Sequence, residues 1–405
     1  MLKGIQMNNQ VVFAAAGNGK TYAICECARE AINSGNKYVL LISYTNEGIR
    51  SLENEYRKQN NGVLHERLII KSWYSFLLSE FIKPYQCLLQ LKIKSGRNEY
   101  DTILRENLIR SIAFYQVMPP KRGFKQTHLQ YYINGARDII PDRVSHLAYK
   151  CNEDSGGKSI NRMERIYSHV FIDELQDYAG WDLEIIKLLF NSAMQLKCVG
   201  DYKQATFRTN KSPKNKQYHD EAIRNFFVEL EKENLCSLKY ATTTRRFNQE
   251  ICDFINTICP DEESTVKPDT TLYQEGIEHR GVYLIDIKYL EHYCAVYRPV
   301  ILRFKRNVDV PFQHSCEIFN YGGSKGATYE RTVIIPVGTV LPFLEEQVYI
   351  SANQTRARFY VACTRAKYSV VFATDDAIEN NVFKAVELEI DGEYIPAFKY
   401  NNPDD

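Results

Sequence analysis

The 405-residue chain has room for two or three domains, each large enough for its own core. Hydrophobic residues at 44% and charged residues at 25% are ordinary for a soluble globular protein, and no apolar run approaches the length of a membrane span. Formal net charge is +1, so the total does not announce a nucleic-acid binder; a phosphate backbone would need a local basic groove. The first ten residues lack a signal peptide's apolar stretch, and eleven irregularly spaced cysteines without a CxxC pair read as reduced thiols. Together these point to the cytoplasm, and away from a structural zinc or iron–sulfur site.

In chain order, an apolar run at residues 11–14 leads into Gly17-Asn18-Gly19-Lys20-Thr21, then a helical stretch from Tyr22 to about Asn33. Apolar runs follow at residues 39–43 and 68–71. Residues 80–166 break this rhythm with a mostly helical pattern and the turn signals Pro119-Pro120 and Ser155-Gly156-Gly157. A run at 170–172 precedes Asp173-Glu174, and a run at 196–199 precedes Gly200-Asp201. A second α/β region starts near Tyr240, with runs at 299–302, 332–335 and 370–373, before a tail at 401–405 that reads as frayed. Short apolar strands alternating with helices predict parallel, doubly covered sheets with chemistry at the strand ends. The expected division is 1–79 and 167–239 for a first domain, 80–166 for a helical insertion in it, and 240–405 for a second.

Residues 14–21, Ala-Ala-Ala-Gly-Asn-Gly-Lys-Thr, sit between a strand and a helix. Glycines there let backbone N–H groups turn toward phosphate oxygens, and the helix N-terminus adds a favourable dipole. Ala16, Gly17, Asn18, Gly19, Lys20 and Thr21 form the expected nucleotide loop, with Lys20 on the β and γ phosphates and Thr21 on magnesium. Alone, the same residues describe a glycine-rich turn before a helix. Asp173, directly after a buried strand, is placed to hold magnesium, and Glu174 to orient or deprotonate an attacking water. Acid pairs also occur on solvated turns; pairing with Lys20 is what turns this one into a phosphoryl-transfer site.

Seven segments in order resemble the UvrD/Rep-like helicases of superfamily 1A. Residues 14–21 fit their AxxGxGKT loop. Asp173-Glu174-Leu175-Gln176-Asp177 fits DExQD, and Gly200-Asp201-Tyr202-Lys203-Gln204 fits GDxxQ. Ser43-Tyr44-Thr45-Asn46 resembles TFTN, and Ser72-Trp73-Tyr74-Ser75-Phe76 a THSF-type segment. Thr243-Thr244-Arg245-Arg246 resembles NYRS, and Tyr360-Val361-Ala362-Cys363-Thr364-Arg365-Ala366 matches YVAxTRA. The resemblance implies two RecA-like P-loop NTPase domains with a helical insertion in the first, using ATP and Mg2+. It implies that Gln204 contacts the γ-phosphate and that Arg246 and Arg365 stabilise its developing charge. Arg245 replaces the usual aromatic neighbour, which leaves open which of the adjacent arginines points inward. Tyr44, Thr45, Asn46, Ser72, Trp73, Tyr74 and Phe207 fall in or after the motifs lining the family's DNA track. For each aromatic, core packing competes evenly with base stacking. Arg208, Lys211, Lys214 and Lys216 form a basic loop that reads equally as phosphate-tracking or solvated.

Three departures stand out. The family's adenine-reading glutamine lies on an upstream helix, whereas here only Gln6 or Gln10 precedes the loop. Asn320-Tyr321-Gly322-Gly323-Ser324-Lys325-Gly326-Ala327-Thr328 keeps Lys325 and Gly326 of the TxHxxKGLE motif and resembles the SKGxTxxR variant of compact relatives, with Gly326 expected near the nucleotide. About fifteen residues separate that segment from the preceding strand, so no counterpart of the 2B subdomain is expected. The function so implied is an ATP-dependent translocase or helicase on single-stranded DNA (or RNA), moving 3′ to 5′. The alternative is an ATP-switched DNA-sensing subunit that regulates a protein partner such as a nuclease, in a Gabija-like phage-defence setting. No membrane role is implied.

Overall fold

The computed structural model describes residues 9–101, 112, 123–206, 210, 212–272, 279–308, 310, 316–390 and 392–402. They form two compact units. The first comprises the chain up to Val12, Lys20–Gly200 and Phe207–Lys239; the second comprises Phe13–Gly19, Asp201–Thr206 and Tyr240–Asp405.

The six-stranded sheet runs β3-β2-β6-β7-β1-β8. Its strands are β1 (Gln10–Ala14), β2 (Tyr38–Ser43), β3 (Leu68–Ser72), β6 (Tyr167–Ile172), β7 (Gln195–Gly200) and β8 (Ser237–Ala241). β2 pairs in parallel with β3 and β6, and β6 with β7, so residues following these strands gather at one edge. Val39, Leu40, Leu41 and Ile42 of β2 are all fully buried, as a strand covered on both faces requires. The helix Lys20–Ser34 covers one face by burying Ile24, Cys25, Ala28, Ala31 and Ile32, a stripe at helical spacing.

Between β3 and β6 the chain forms the helix Trp73–Phe76, a π-helical segment Leu77–Ile82, and helices Val144–Asp154 and Lys158–Ile166. Within this mostly helical stretch lies an antiparallel hairpin that the sequence pattern did not show, β4 (Lys92–Ser95) with β5 (Asn98–Asp101), turning at Gly96-Arg97. Its pair Ile93 and Tyr100 stays 39% and 56% exposed, so the strands lack the apolar run that marks a buried strand. Pro119-Pro120 and most of residues 102–122 lie outside the described residues. Buried Glu80 anchors the start of the insertion: Lys71 Nζ lies 2.6 Å away, Arg162 Nη1 2.7 Å, and Tyr167 donates at 3.2 Å. Burial pushes its carboxyl up, but the Lys71 and Arg162 cations outweigh this and hold it below the usual range.

The second unit carries a short parallel pair, β9 (Thr243–Thr244) with β10 (Lys267–Pro268), and a seven-stranded sheet ordered β13-β12-β14-β15-β11-β17-β16. The strands are β11 (Gly281–Asp286), β12 (Val300–Arg303), β13 (Ile318–Asn320), β14 (Tyr329–Ile335), β15 (Ala366–Thr374), β16 (Phe383–Ile390) and β17 (Glu393–Tyr400). Five strands are parallel, and the β16–β17 hairpin closes one edge antiparallel. Alternation along β15 splits two cores. Val370 and Phe372 pack with Phe254 and Phe359, whereas Val371 and Ala373 pack with Ile285 and Tyr293. Both units are thus α/β on largely parallel sheets, the architecture of paired RecA-like domains. Among the described residues no helix is long and apolar enough to cross a membrane.

Candidate nucleotide and nucleic-acid site

The loop after β1 is held by side chains and backbone of residues 241–246. Ala15 N donates to Ala241 O at 2.9 Å, Thr244 Oγ1 to Ala16 O at 2.7 Å, Asn18 Nδ2 to Thr243 O at 2.7 Å, and Arg245 N to Gly17 O at 3.0 Å. Gly17 has φ +76°, and a Cβ added there would lie 2.5 Å from Arg246 Cβ and 2.7 Å from Thr244 Oγ1. Only glycine fits so close an approach. With its carbonyls engaged, the loop passes into the helix whose first residues are Lys20 and Thr21, where backbone N–H groups of the first turn are free of helical partners.

In the first unit, Asp173 follows β6, is 4% exposed and donates its backbone N–H to Ile42 O at 2.8 Å. Its Oδ1 accepts the Glu174 backbone N–H at 2.8 Å. Glu174 adopts φ +54°, a left-handed conformation that a non-glycine residue holds only at a cost. Gln176 Nε2 donates to Glu174 Oε2, fixing the carboxylate's direction. In the sequence Gln176 stands only as part of the motif, and its spacing of two from Glu174 is the available signal.

In the second unit, Asp201, Gln204, Arg246, Thr364 and Arg365 form one relay. Gln204 Nε2 donates to Asp201 Oδ2 at 2.8 Å, and its Oε1 accepts from Arg365 Nη2 at 3.3 Å. Arg365, 1% exposed, also donates to Val361 O (2.9 Å), Thr364 Oγ1 (2.9 Å) and Ala327 O (3.3 Å). Arg246 Nη1 donates to Thr364 O at 2.7 Å. Burial and the neighbouring Arg365 push the Arg246 guanidinium down to about 9. Arg246 is therefore the inward arginine; Arg245 points outward, its side chain 61% exposed and its Nε 3.5 Å from Asp269. Gly326 is exposed at φ +86°, and the next residue supplies the carbonyl that receives Arg365. Asp201 and Thr364 lie inside the motif segments 200–204 and 360–366, with no further signal in the sequence that marks them.

The residues read as a nucleic-acid track divide. Tyr44 and Tyr74 are half-buried, with hydroxyls 2.8 Å apart and rings edge-on at 5.6 Å. Burial pushes Tyr74 up to about 12 and Tyr44 further. Thr45 and Asn46 are exposed; Thr45 Oγ1 caps the helix Asn46–Gln59 by accepting Gly48 N at 3.0 Å. Ser72 Oγ caps Trp73–Phe76 by accepting Ser75 N at 3.3 Å. Trp73 is a correction: it is fully buried, donates Nε1 to Asp182 at 2.7 Å, and packs against Phe76 and Tyr178 at 5.3 and 4.8 Å between centroids. Its ring is core and offers no face to a base. Phe207, Arg208, Lys211 and Gln6 lie outside the described residues. Lys214 pairs with Glu184 at 3.3 Å and lies 5.4 Å from the Trp181 ring, and exposed Lys216 opens a 3-10 turn. Gln10 begins β1, at the far end of that strand from the loop.

A glycine loop after β1 and an acid pair after β6, two strands of one sheet, are the marks of a P-loop nucleotide-binding protein. The chain belongs to the AAA domain family, whose model matches residues 2–209, and its motif segments resemble those of UvrD/Rep-like helicases. It is similar to the ATP-dependent DNA helicase Rep of Buchnera aphidicola subsp. Schizaphis graminum (strain Sg), with 24% identity over 49% of this chain and 35% of the relative. The matched region thus spans about a third of that relative's length. Among solved structures it resembles the arterivirus nonstructural protein 10 (helicase), at 13% identity, 90% of this chain, 59% of that chain and a TM-score of 0.42. The complex of that protein with DNA gives 12%, 91%, 61% and 0.43.

Proposed function

We propose that this chain is an ATP-hydrolysing motor that moves 3′ to 5′ along single-stranded DNA. The observation that carries the reading is the relay from Asp201 through Gln204 to Arg365, with Arg246 on the adjacent Thr364 carbonyl. A glutamine restrained on one side by a carboxylate and on the other by a buried arginine can report a γ-phosphate to the rest of its unit. Lys20 binds the β and γ phosphates. Glu174, aimed by Gln176, takes a proton from the attacking water as the bond from γ-phosphorus to the bridging oxygen breaks. Arg246 and Arg365 meet the charge that develops on the γ oxygens. Thr21 and Asp173 offer the hard oxygen donors that suit Mg2+, which would neutralise phosphate charge. The functional domains are 1–79 with 167–239, the insertion 80–166, and 240–405. Gly326 lies near the nucleotide, and Tyr44, Thr45, Asn46, Ser72, Tyr74 and Phe207 contact the strand.

The test is phosphate release with and without oligothymidylate. Stimulation by the oligomer is expected, with Glu174→Gln lowering hydrolysis at least about a hundredfold while nucleotide still binds, and Lys20→Ala losing both. Wild-type hydrolysis by Glu174→Gln refutes the assignment. Oligouridylate in parallel reads the sugar preference.

A further inference from the structure

The second unit contains a cleft of about 280 Å³, open to solvent and far larger than a water molecule needs. Four cations line it from three separate chain segments: Arg245 and Arg246, then Arg280, then Lys367. Among its described lining residues Asp269 is the one acid. That carboxylate is already engaged by Thr271, whose N and Oγ1 donate at 3.1 and 2.6 Å, in addition to its ion pair with Arg245. Arg246 turns its Nη1 away, to Thr364 O. Arg245, Arg280 and Lys367 thus converge on one concavity whose described lining carries a single carboxylate. Gathering like charges is unfavourable unless an anion shares the space.

We infer that this cleft binds a phosphate group additional to those held at the loop after β1, carried either by a second nucleotide or by the nucleic-acid backbone. The guanidinium fork of Arg280 and the point charge of Lys367 are the two complementary ways side chains grip a phosphate. Arg245 lies between the two sites: its backbone N–H holds the Gly17 carbonyl while its side chain faces this cleft. Occupancy here is thereby positioned to influence the nucleotide loop, in a chain whose ATP reaction is the one proposed above. The inference concerns binding, and holds or fails whether or not hydrolysis is observed.

The experiment uses the full chain and the double variants Arg280→Glu/Lys367→Glu and Arg280→Gln/Lys367→Gln, neither residue being part of the proposed hydrolytic machinery. Two probes are titrated, fluorescein-labelled oligothymidylate over a salt series and a fluorescent ADP analogue, with inorganic phosphate added in thermal melts. Backbone binding predicts about tenfold weaker oligomer affinity in the variants. It also predicts a log–log salt slope shallower by about 0.7 for each phosphate lost, with ADP unchanged. Binding of a second nucleotide predicts that wild type takes two ADP analogues per chain and the variants one, with oligomer affinity unchanged. In either case phosphate should raise the melting temperature of wild type more than that of the glutamine variant. Identical titrations and identical phosphate response in folded variants overturn the proposal. Should the glutamate variant fail to fold, the glutamine variant and the phosphate response of wild type decide alone.

Discussion

At Gly17 two independent restrictions coincide: φ is +76°, and the missing Cβ would overlap Arg246 and Thr244. Gly19 shares the first restriction, at φ +92°, but has nothing within 4 Å of the added atom. Gly17→Ala should therefore lower the melting temperature of the nucleotide-free protein more than Gly19→Ala does. The latter meets only backbone strain of roughly 1–2 kcal/mol. Equal melts for the two variants would remove the steric argument. Trp73 gives a second residue-scale test. Trp73→Ala should destabilise by about 3–5 kcal/mol, because it empties a core volume and strips Asp182 of a donor. Trp73→Leu should leave single-strand affinity within about twofold, whereas loss of a stacking face would cost ~1–3 kcal/mol. A tenfold loss of affinity in a folded Trp73→Leu protein would return the ring to the strand.

Among elements, several largely buried strands were legible as short apolar runs: β2, β6, β12, β14 and β15 each coincide with one, and β7 with a run that Lys197 interrupts. The hairpins β4–β5 and β16–β17 were not, because solvent-facing residues interrupt their apolar positions, although β17 pairs with β11 and Leu388, Ile390, Ile395 and Ala397 reach the core. The loop at residues 15–19 and the acids at 173–174 were legible because their chemistry needs contiguous residues. The choice between Arg245 and Arg246, and the burial of Trp73 against Asp182, depend on contacts 118 and 109 positions away and leave no local pattern. Thr45 separates a structural from a recognition role at this scale. Its hydroxyl caps a helix, so Thr45→Ala should cost about 1 kcal/mol in chemical denaturation, and Thr45→Ser should restore it. If the hydroxyl also contacts the strand, Thr45→Ala will weaken oligothymidylate binding beyond what the stability change accounts for. Unchanged binding confines Thr45 to the cap.

At the scale of the whole molecule, each unit carries a buried histidine whose protonation opposes folding. In the first unit His146 is 6% exposed and stacks on Trp181 at 3.9 Å. Burial, followed by the charges of Arg143, Lys150 and Lys214, pushes it down to about 4. In the second unit His279 is 4% exposed, with Nε2 2.8 Å from Tyr293 Oη. Burial, followed by Arg331 and Lys399, pushes it down to about 3. The folded values lie below the unfolded value of 6.5, so the unfolded chain binds these protons first. Stability is then fully present above pH 6.5 and falls as pH drops below it, by about 1.4 kcal/mol per pH unit for each histidine. The fall should continue toward the folded value near 4 in the first unit and near 3 in the second. Because each unit has its own core, two unfolding transitions are expected, one carrying the dependence of His146 together with His169, which burial also pushes down, and the other that of His279. Denaturant melts at neutral pH and at about pH 5, repeated with His146→Gln and His279→Gln, should show each substitution flattening the pH response of one transition only. Parallel flattening of both, or none, would mean that other groups govern the acid response of this chain.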